Sequence, residues 1–514
     1  MDPLRLTLFK NKLVSVAEEM GIVLQRSSFS PNIKERKDLS CALFMRDGTL
    51  VAQAEHIPVH LGSMSTAVRS VIEKGEIREG DVFILNDPFR GGTHLPDITL
   101  VSPLFYEGEL LFFIACRAHH ADVGGVSSGS MPLSTEIFQE GVLIPPVKIV
   151  RDGEIVQDIL ELIKANVRNP EEREGDLKAQ LISIEVGKKR MTSLLKEIGK
   201  DRVMEGCREL IGYTERFMRR RLAQIPDGTY AFEDHLEDDG AGGENIKISV
   251  EIRIEGGNAV IDFSKSDPQT DGCVNCVRSV TLASVFYSFR CLLPEDLPTN
   301  DGCFKPLEVI TKKGTVVDAL FPSAVVGGNV ETSQRIVDVV LGALSKAIPD
   351  VIPAASQGTM NNIAMGGVSK KFGVWSYYET IGGGMGAWRG CEGESAVHSH
   401  MTNTMNTPVE ALEHSYPLRI TEYSVRRGSG GGGRHRGGDG IVREIEVLEP
   451  ATVSVISERR KLSPYGLCGG KEGKRGRNLI RKGDEVIEMP SKFSVRVEKG
   501  TRLRIETPGG GGYG

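Results

Sequence analysis

Residues 81–122 read DVFILNDPFRGGTHLPDITLVSPLFYEGELLFFIACRAHHAD, and the fold turns on this stretch. Asp81 to Asp87 has the apolar content of a buried strand and stops at Pro88; Phe89-Arg90-Gly91-Gly92-Thr93 is a Gly-rich loop. Ile98–Phe105 and Leu110–Arg117 are strand-length apolar runs on either side of Glu107-Gly108, which predicts a hairpin. With those two residues at the turn, Asp97 faces Ala118 and Pro96 faces His119. The chain itself then brings His119 close to the His94–Asp97 segment, since cross-strand neighbours lie about 5 Å apart at Cβ. His119 and His120 point to opposite faces of a strand, so only one can join the cluster, and the register selects His119.

Two imidazoles and a carboxylate suit a divalent cation such as Zn²⁺ or Mn²⁺ and leave positions open for water or substrate. H-x-x-D alone is a common tetrapeptide and more often marks a hydrogen-bonded structural histidine; the hairpin makes it a spatial expectation. The metal ligands expected are His94, Asp97 and His119. A fourth is open among Asp38, just before a strand, Asp87 and Asp122. A bound water would serve as nucleophile, and no catalytic side chain beyond the ligands is assigned.

Outward from this segment, Leu4–Gln25 has apolar residues at helical spacing, Leu39–Ala52 is a hairpin around Asp47-Gly48, and Ser63–Lys74 is helical. Residues 155–222 are helical and strongly charged, with a break at Asn169-Pro170 and Arg219-Arg220-Arg221 at a helix end. Ile225-Pro226-Asp227-Gly228 is turn chemistry and a boundary. Strands are expected over Lys247–Ile254 and Ala259–Ser264, then many short turns to about residue 420, then strands at Ile441–Val447 and Thr452–Val455. The fold class expected is α+β and multidomain, with mixed sheets and a strand-rich, Gly-rich C-terminal part. The domains expected are 1–225 (the metal site with its helical extension), 226–420 (mixed α/β) and 421–514.

The chain has 514 residues, 39% hydrophobic and 26% charged, with net charge −6. That is a globular composition, and the mild acidity opposes a dedicated nucleic-acid binder. Apolar runs are too short for a membrane helix and no signal sequence is legible, so a cytoplasmic protein without nucleic-acid or membrane partners is expected. Nine cysteines scattered through so long a chain are not a disulfide framework, and Cys273-x-x-Cys276 lacks a second pair for structural zinc.

Four further polar residues are candidate substrate-binding groups. His56 and His60 lie four apart around Pro58, where ordinary loop histidines are the competing reading. Asn329 and Glu331 lie in Gly327-Gly328-Asn329-Val330-Glu331-Thr332, a turn entering a helix where an anion could sit, or a simple helix cap. His398 and His400 would point the same way on an extended strand, with half-buried hydrogen bonding the plainer reading. The block Arg426–Gly438 lacks the G-K-[ST] of a phosphate loop and reads as a flexible or interface loop able to hold anions. The terminal Gly509–Gly514 is either a tail or backbone threading close to another element.

Many of these segments, in order, resemble the hydantoinase B/oxoprolinase family. They are Ser30–Asp38, Ala54–Gly62, Asn86–Asp97, Arg117–Asp122, Gly328–Arg335, His400–Thr404, Arg426–Gly431 and the Gly-rich C-terminus. The resemblance implies ligands at His94, Asp97 and His119 with Asp38 as fourth. It also implies a separate hydantoinase-A-type subunit that binds ATP and phosphorylates the substrate, in a heterotetramer or larger assembly. ATP would be used by that partner, consistent with the lack of a nucleotide motif here. The activity implied is ATP-dependent hydrolysis of a small cyclic amide, such as 5-oxoproline, a hydantoin or a similar lactam. ATP-dependent carboxylation of a ketone, as in acetone and acetophenone carboxylases, is the alternative.

Overall fold

A computed structural model describes residues 2–54 and 57–514. Helix α1 (Pro3–Ser27) starts where the Asp2 carboxylate accepts the Leu4 and Arg5 N–H groups. It buries Phe9, Leu13, Val16, Met20 and Leu24, the spacing of one helical face. A single turn, α2 (Pro31–Lys34), leads into a seven-stranded antiparallel sheet. Its strands are β1 (Leu39–Met45), β2 (Leu50–Gln53), β3 (Val82–Leu85), β4 (Asp97–Tyr106), β5 (Glu109–His119), β6 (Val147–Arg151) and β7 (Glu154–Ile155), in the order β2-β1-β5-β4-β3-β6-β7. Alternation along the strands divides the core. Ala42, Phe44, Phe83, Val101 and Phe113 pack under α3 (Ser63–Lys74); Cys41, Leu43, Leu100, Ile114 and Cys116 share the larger cluster with α1.

Residues 155–222 supply α4 (Gln157–Ala165), α5 (Pro170–Ile198) and α6 (Lys200–Leu222). Asn169 stands at the N-cap before Pro170, as the sequence indicated. A second sheet, order β11-β10-β9-β8, combines β8 (Gly228–Asp238), β9 (Glu244–Glu255), β10 (Asn258–Asp262) and β11 (Leu307–Ile310). Helices α7 (Arg278–Arg290) and α8 (Ser333–Leu344) pack on one another, and α8 packs on β8 and β9. The sequence reading missed β8, α7 and the next two strands, and marked α8 only by the turn that enters it. α7 is buried along most of its length, so it shows no polar face for periodicity to detect.

A third sheet, order β13-β12-β16-β19, holds β12 (Asn362–Ser369), β13 (Gly373–Glu379), β16 (Ala451–Ile456) and β19 (Lys492–Val497). A fourth, order β14-β15-β20-β17-β18, holds β14 (Leu418–Arg426), β15 (Gly440–Val447), β17 (Arg477–Lys482), β18 (Glu485–Met489) and β20 (Arg502–Glu506). A short helix, α9 (Val409–Ser415), precedes β14. The architecture is mixed α+β with separate sheets. Among the described residues no helix is long and apolar enough to cross a membrane.

The glycine-rich segments are held by backbone hydrogen bonds, which corrects the reading of 426–438 as a flexible loop; Gly509–Gly512 are buried, while Arg427, Gly428, Gly432, Gly433 and Arg434 stay at the surface. Gly431 N–H donates to Gly510 O (2.8 Å), His435 N–H to Tyr513 O (2.9 Å) and Gly510 N–H to Gly438 O (2.9 Å). A Cβ at Gly384 would strike the backbone of Gly438 and Gly510, so glycine is required for the chains to approach. The C-terminus is backbone threaded against other elements, the second of the two readings.

Candidate metal centre

The hairpin forms with Glu107-Gly108 at its turn, but the register expected from that turn does not persist. Tyr106 pairs with Glu109 and Phe105 with Leu110; Leu104 then pairs with Phe112, leaving Leu111 as the extra residue of a β-bulge. Asp97 consequently faces His119, not Ala118. The correction matters chemically. A slip of one residue moves a side chain to the other face, and in the unbulged register Asp97 and His119 would point apart. On the other side of β5, Leu39 pairs with Ala118, and His119 N–H donates to Asp38 O (3.0 Å). Asp38, His119 and Asp97 thus stand on neighbouring positions across three strand ends.

His94 lies outside the strand, in the turn that Asp97 N–H closes onto His94 O (3.1 Å). Its Nε2 is 3.3 Å from Asp97 Oδ1 and 3.2 Å from His119 Nδ1, and His119 Nδ1 is 3.3 Å from the same Oδ1. All three residues are buried. Donor atoms around a tetrahedral ion at bond lengths of about 2.0–2.1 Å lie roughly 3.4 Å apart, so this triangle fits a small divalent cation. Asp38 lines the same cavity, which measures about 20 Å³.

Surrounding groups fix this set. His60 Nε2 is 3.4 Å from Asp97 Oδ2 and its Nδ1 2.9 Å from Ser40 Oγ. Thr93 Oγ1 donates to Asp97 Oδ2, and Asn329 Nδ2 lies 3.3 Å from His94 Nε2. Burial alone would raise the Asp97 pKa; the charges of His94 and His60 and hydrogen bonds from His119 and His60 outweigh it, holding the carboxyl well below its usual range. Burial lowers His119, against hydrogen bonding to Asp97, so its ring is neutral and available as a ligand. Its ring stacks on Tyr378, with centroids 4.5 Å apart. Tyr378 was not flagged in sequence and sits on β13, more than 250 positions away, so no local pattern could have found it.

Of the residues singled out as substrate-binding, His60 and Asn329 border the cavity; His56 lies outside the described residues. Glu331 faces away from it, accepting from Met360 N–H (3.1 Å) and Asn362 Nδ2 (2.8 Å). Asn362 in turn accepts the Tyr378 hydroxyl (2.9 Å), so Glu331 supports His119 through two intermediaries. The helix-entry turn around Asn329 is a buried π-helical turn leading into α8. Just before it, the N–H groups of Val325 and Val326 are taken by the protein's own Glu140 carboxylate (2.8 and 3.0 Å). His120 sits on the opposite face, 2.9 Å from Gln180 Oε1. Asp87 caps the Pro88–Arg90 turn, and Asp122 pairs with Arg168 at 2.8 Å, so both are engaged elsewhere. Val397–His400 is not a strand: His400 has φ +59°.

A family model described as hydantoinase B/oxoprolinase matches residues 2–514. A 5-oxoprolinase of Dictyostelium discoideum is 42% identical over all of this chain, which spans 40% of that protein's length. The ATP-dependent caprolactamase from Pseudomonas jessenii superposes with a TM-score of 0.93 at 30% identity, covering 100% of this chain and 91% of that one. A nucleotide-free acetone carboxylase superposes with a TM-score of 0.92 at 19% identity, covering 100% and 76%, a likeness of fold.

Proposed function

Because the chain belongs to the hydantoinase B/oxoprolinase family, we propose that it carries the metal centre of an ATP-dependent enzyme that opens a small cyclic amide. 5-Oxoproline, a hydantoin or a similar lactam is the substrate class, and a hydantoinase-A-type partner binds ATP and phosphorylates the substrate. The observation that carries this reading is the convergence of His94 Nε2, Asp97 Oδ1 and His119 Nδ1 within 3.2–3.3 Å of one another. Asp38 beside them completes the donor set. A bound Zn²⁺ or Mn²⁺ would supply Lewis acidity and a water of lowered pKa. The chain's own residues do the rest. His60 and Thr93 hold the second Asp97 oxygen, so the first is presented to the centre. Asn329 stands against the open side of His94 Nε2, and Tyr378 fixes the plane of the His119 ring. Ile57, Val59, Met360 and Met401 exclude bulk water from the cavity.

The test is co-purification with an A-type partner, metal analysis of the complex, and ATP-dependent turnover of 5-oxoproline, hydantoin and larger lactams. One metal per chain, lost together with ring opening in His94→Ala and His119→Ala, is the expected result. Ring opening that survives both substitutions in metal-poor protein would sink the reading. ATP turnover that requires bicarbonate and a ketone would replace hydrolysis by carboxylation.

A further inference from the structure

The cavity at the metal centre, about 20 Å³, has room for an ion or one water and none for an organic ring. Ile57 and Thr402 line both this cavity and a cleft of about 500 Å³, a volume ordinary for small-molecule sites. Ile57, Pro58 and Leu61 give the cleft an apolar wall, Leu293 just beyond α7 faces it, and residues 398–403 form its polar side. Two polar atoms on that side, Ser399 Oγ and His400 Nε2, are buried without a protein partner, in residues only 6% exposed. Such atoms cost about 1–3 kcal/mol each when unpaired. Burial lowers the His400 pKa, so the ring is neutral. Its Nδ1 faces the Tyr287 hydroxyl at 3.4 Å, which leaves Nε2 for a ligand. The loop is also tied to the centre: Gln334 Nε2 donates to Ser399 O (3.0 Å) from α8, the helix that continues the Asn329 turn.

We propose that this cleft is the substrate subsite of the metal centre, with Ser399 and His400 hydrogen-bonding the amide edge of a small cyclic amide whose ring packs on Ile57, Pro58 and Leu61. The inference rests on the ring-opening reading for its ligand class. Both residues are binding and positioning groups, so their removal weakens binding while leaving the metal in place. His400→Asn is the informative variant, because asparagine tolerates the left-handed backbone at this position yet is too short to replace the ring.

Cys291 lines the cleft and is exposed, whereas Cys391 and Cys468 are exposed and do not line it, so thiol labelling reports occupancy independently of turnover. In the complex with its partner, maleimide labelling followed by mass spectrometry would be run with 5-oxoproline, hydantoin, caprolactam, and a ketone with bicarbonate. A cyclic amide is expected to slow Cys291 labelling several-fold with Cys391 and Cys468 unchanged. His400→Asn and Ser399→Ala should abolish that protection and raise KM about tenfold, the loss of roughly one hydrogen bond, with kcat and metal content held within about twofold. Protection by no ligand, or protection indifferent to both substitutions, overturns the subsite. Protection by a cyclic amide without any ring opening keeps the subsite and defeats the function proposed above. Protection by the ketone with bicarbonate alone overturns the ligand class in both.

Discussion

The two sides of the candidate metal cavity are built in different ways. On one side, His94, Asp97 and His119 come from a single hairpin and its entry turn, 25 positions from end to end. On the other, Asn329, Tyr378, Thr402 and Thr404 arrive from three distant segments. The near side is fixed by backbone pairing and one bulge, so its geometry is inherited from a central sheet. The far side depends on α8, β13 and the 398–404 loop staying docked. A hairpin suits a ligand set, which tolerates only small errors in position. A composite wall suits a substrate surface, which can vary without disturbing the ligands.

The sharpest way to break this contrast is at the near side. His94→Ala, Asp97→Ala or His119→Ala should each remove the metal and lower ring opening by roughly a thousandfold, since Lewis-acid assistance is worth several kcal/mol. The measurement is metal content alongside kcat; metal-replete variants with unchanged kcat would place the centre elsewhere. A smaller effect is expected where the far side touches the near one. Asn329 Nδ2 meets His94 at Nε2, the donor atom itself, and not at the far ring nitrogen where an orienting partner acts, so Asn329→Ala should leave metal affinity within about tenfold of wild type. Chelator competition measures it, and a larger loss would make Asn329 part of the metal centre itself.

The smallest effect concerns the support behind the far wall. Burial, reinforced by Glu458, pushes the Glu331 carboxyl up to about 8. The folded state therefore prefers the protonated form more strongly than the unfolded state does. This contribution is fully present below the ordinary glutamate range and is lost as pH rises toward 8. Glu331→Gln keeps a neutral acceptor for Met360 N–H and Asn362, so its melting temperature should match wild type near pH 5 and exceed it by a few degrees near pH 8.5. Parallel profiles for the two proteins would mean that Glu331 is ionised throughout.

The particular residues also show where sequence reasoning stops. Alternation and turn chemistry located β3, β4 and β5, and strand geometry put His119 and His120 on opposite faces; the choice of His119 rested on a register that the bulge shifts by one residue. The bulge at Leu111 was not legible, because nothing in Leu110-Leu111-Phe112-Phe113 distinguishes the extra residue from its neighbours. Yet that residue puts Asp97 on the same face as His119. Asn329 was marked by its Gly-rich turn, and Glu331, marked by the same turn, points away because consecutive residues of a helical turn diverge. His398 and His400 were noticed as a pair, but their loop is not a strand; what they share is the cleft they line with Tyr287 and Ile57.

The glycines teach the same lesson at larger scale. Their abundance near 430 and 510 reads as looseness in a linear sequence, whereas in the fold these segments are pressed against one another and against Gly384 and Met385.

By itself the sequence determined the hairpin and its turn, because hydrogen-bonded strands and turns obey short-range rules. Only the tertiary structure decided that Asp97 faces His119, that Tyr378 and Asn329 reach the histidines, and that a cleft adjoins the cavity. The first is settled by a bulge within one hairpin; the other two depend on the packing of segments hundreds of residues apart, and burial energy is indifferent to sequence distance.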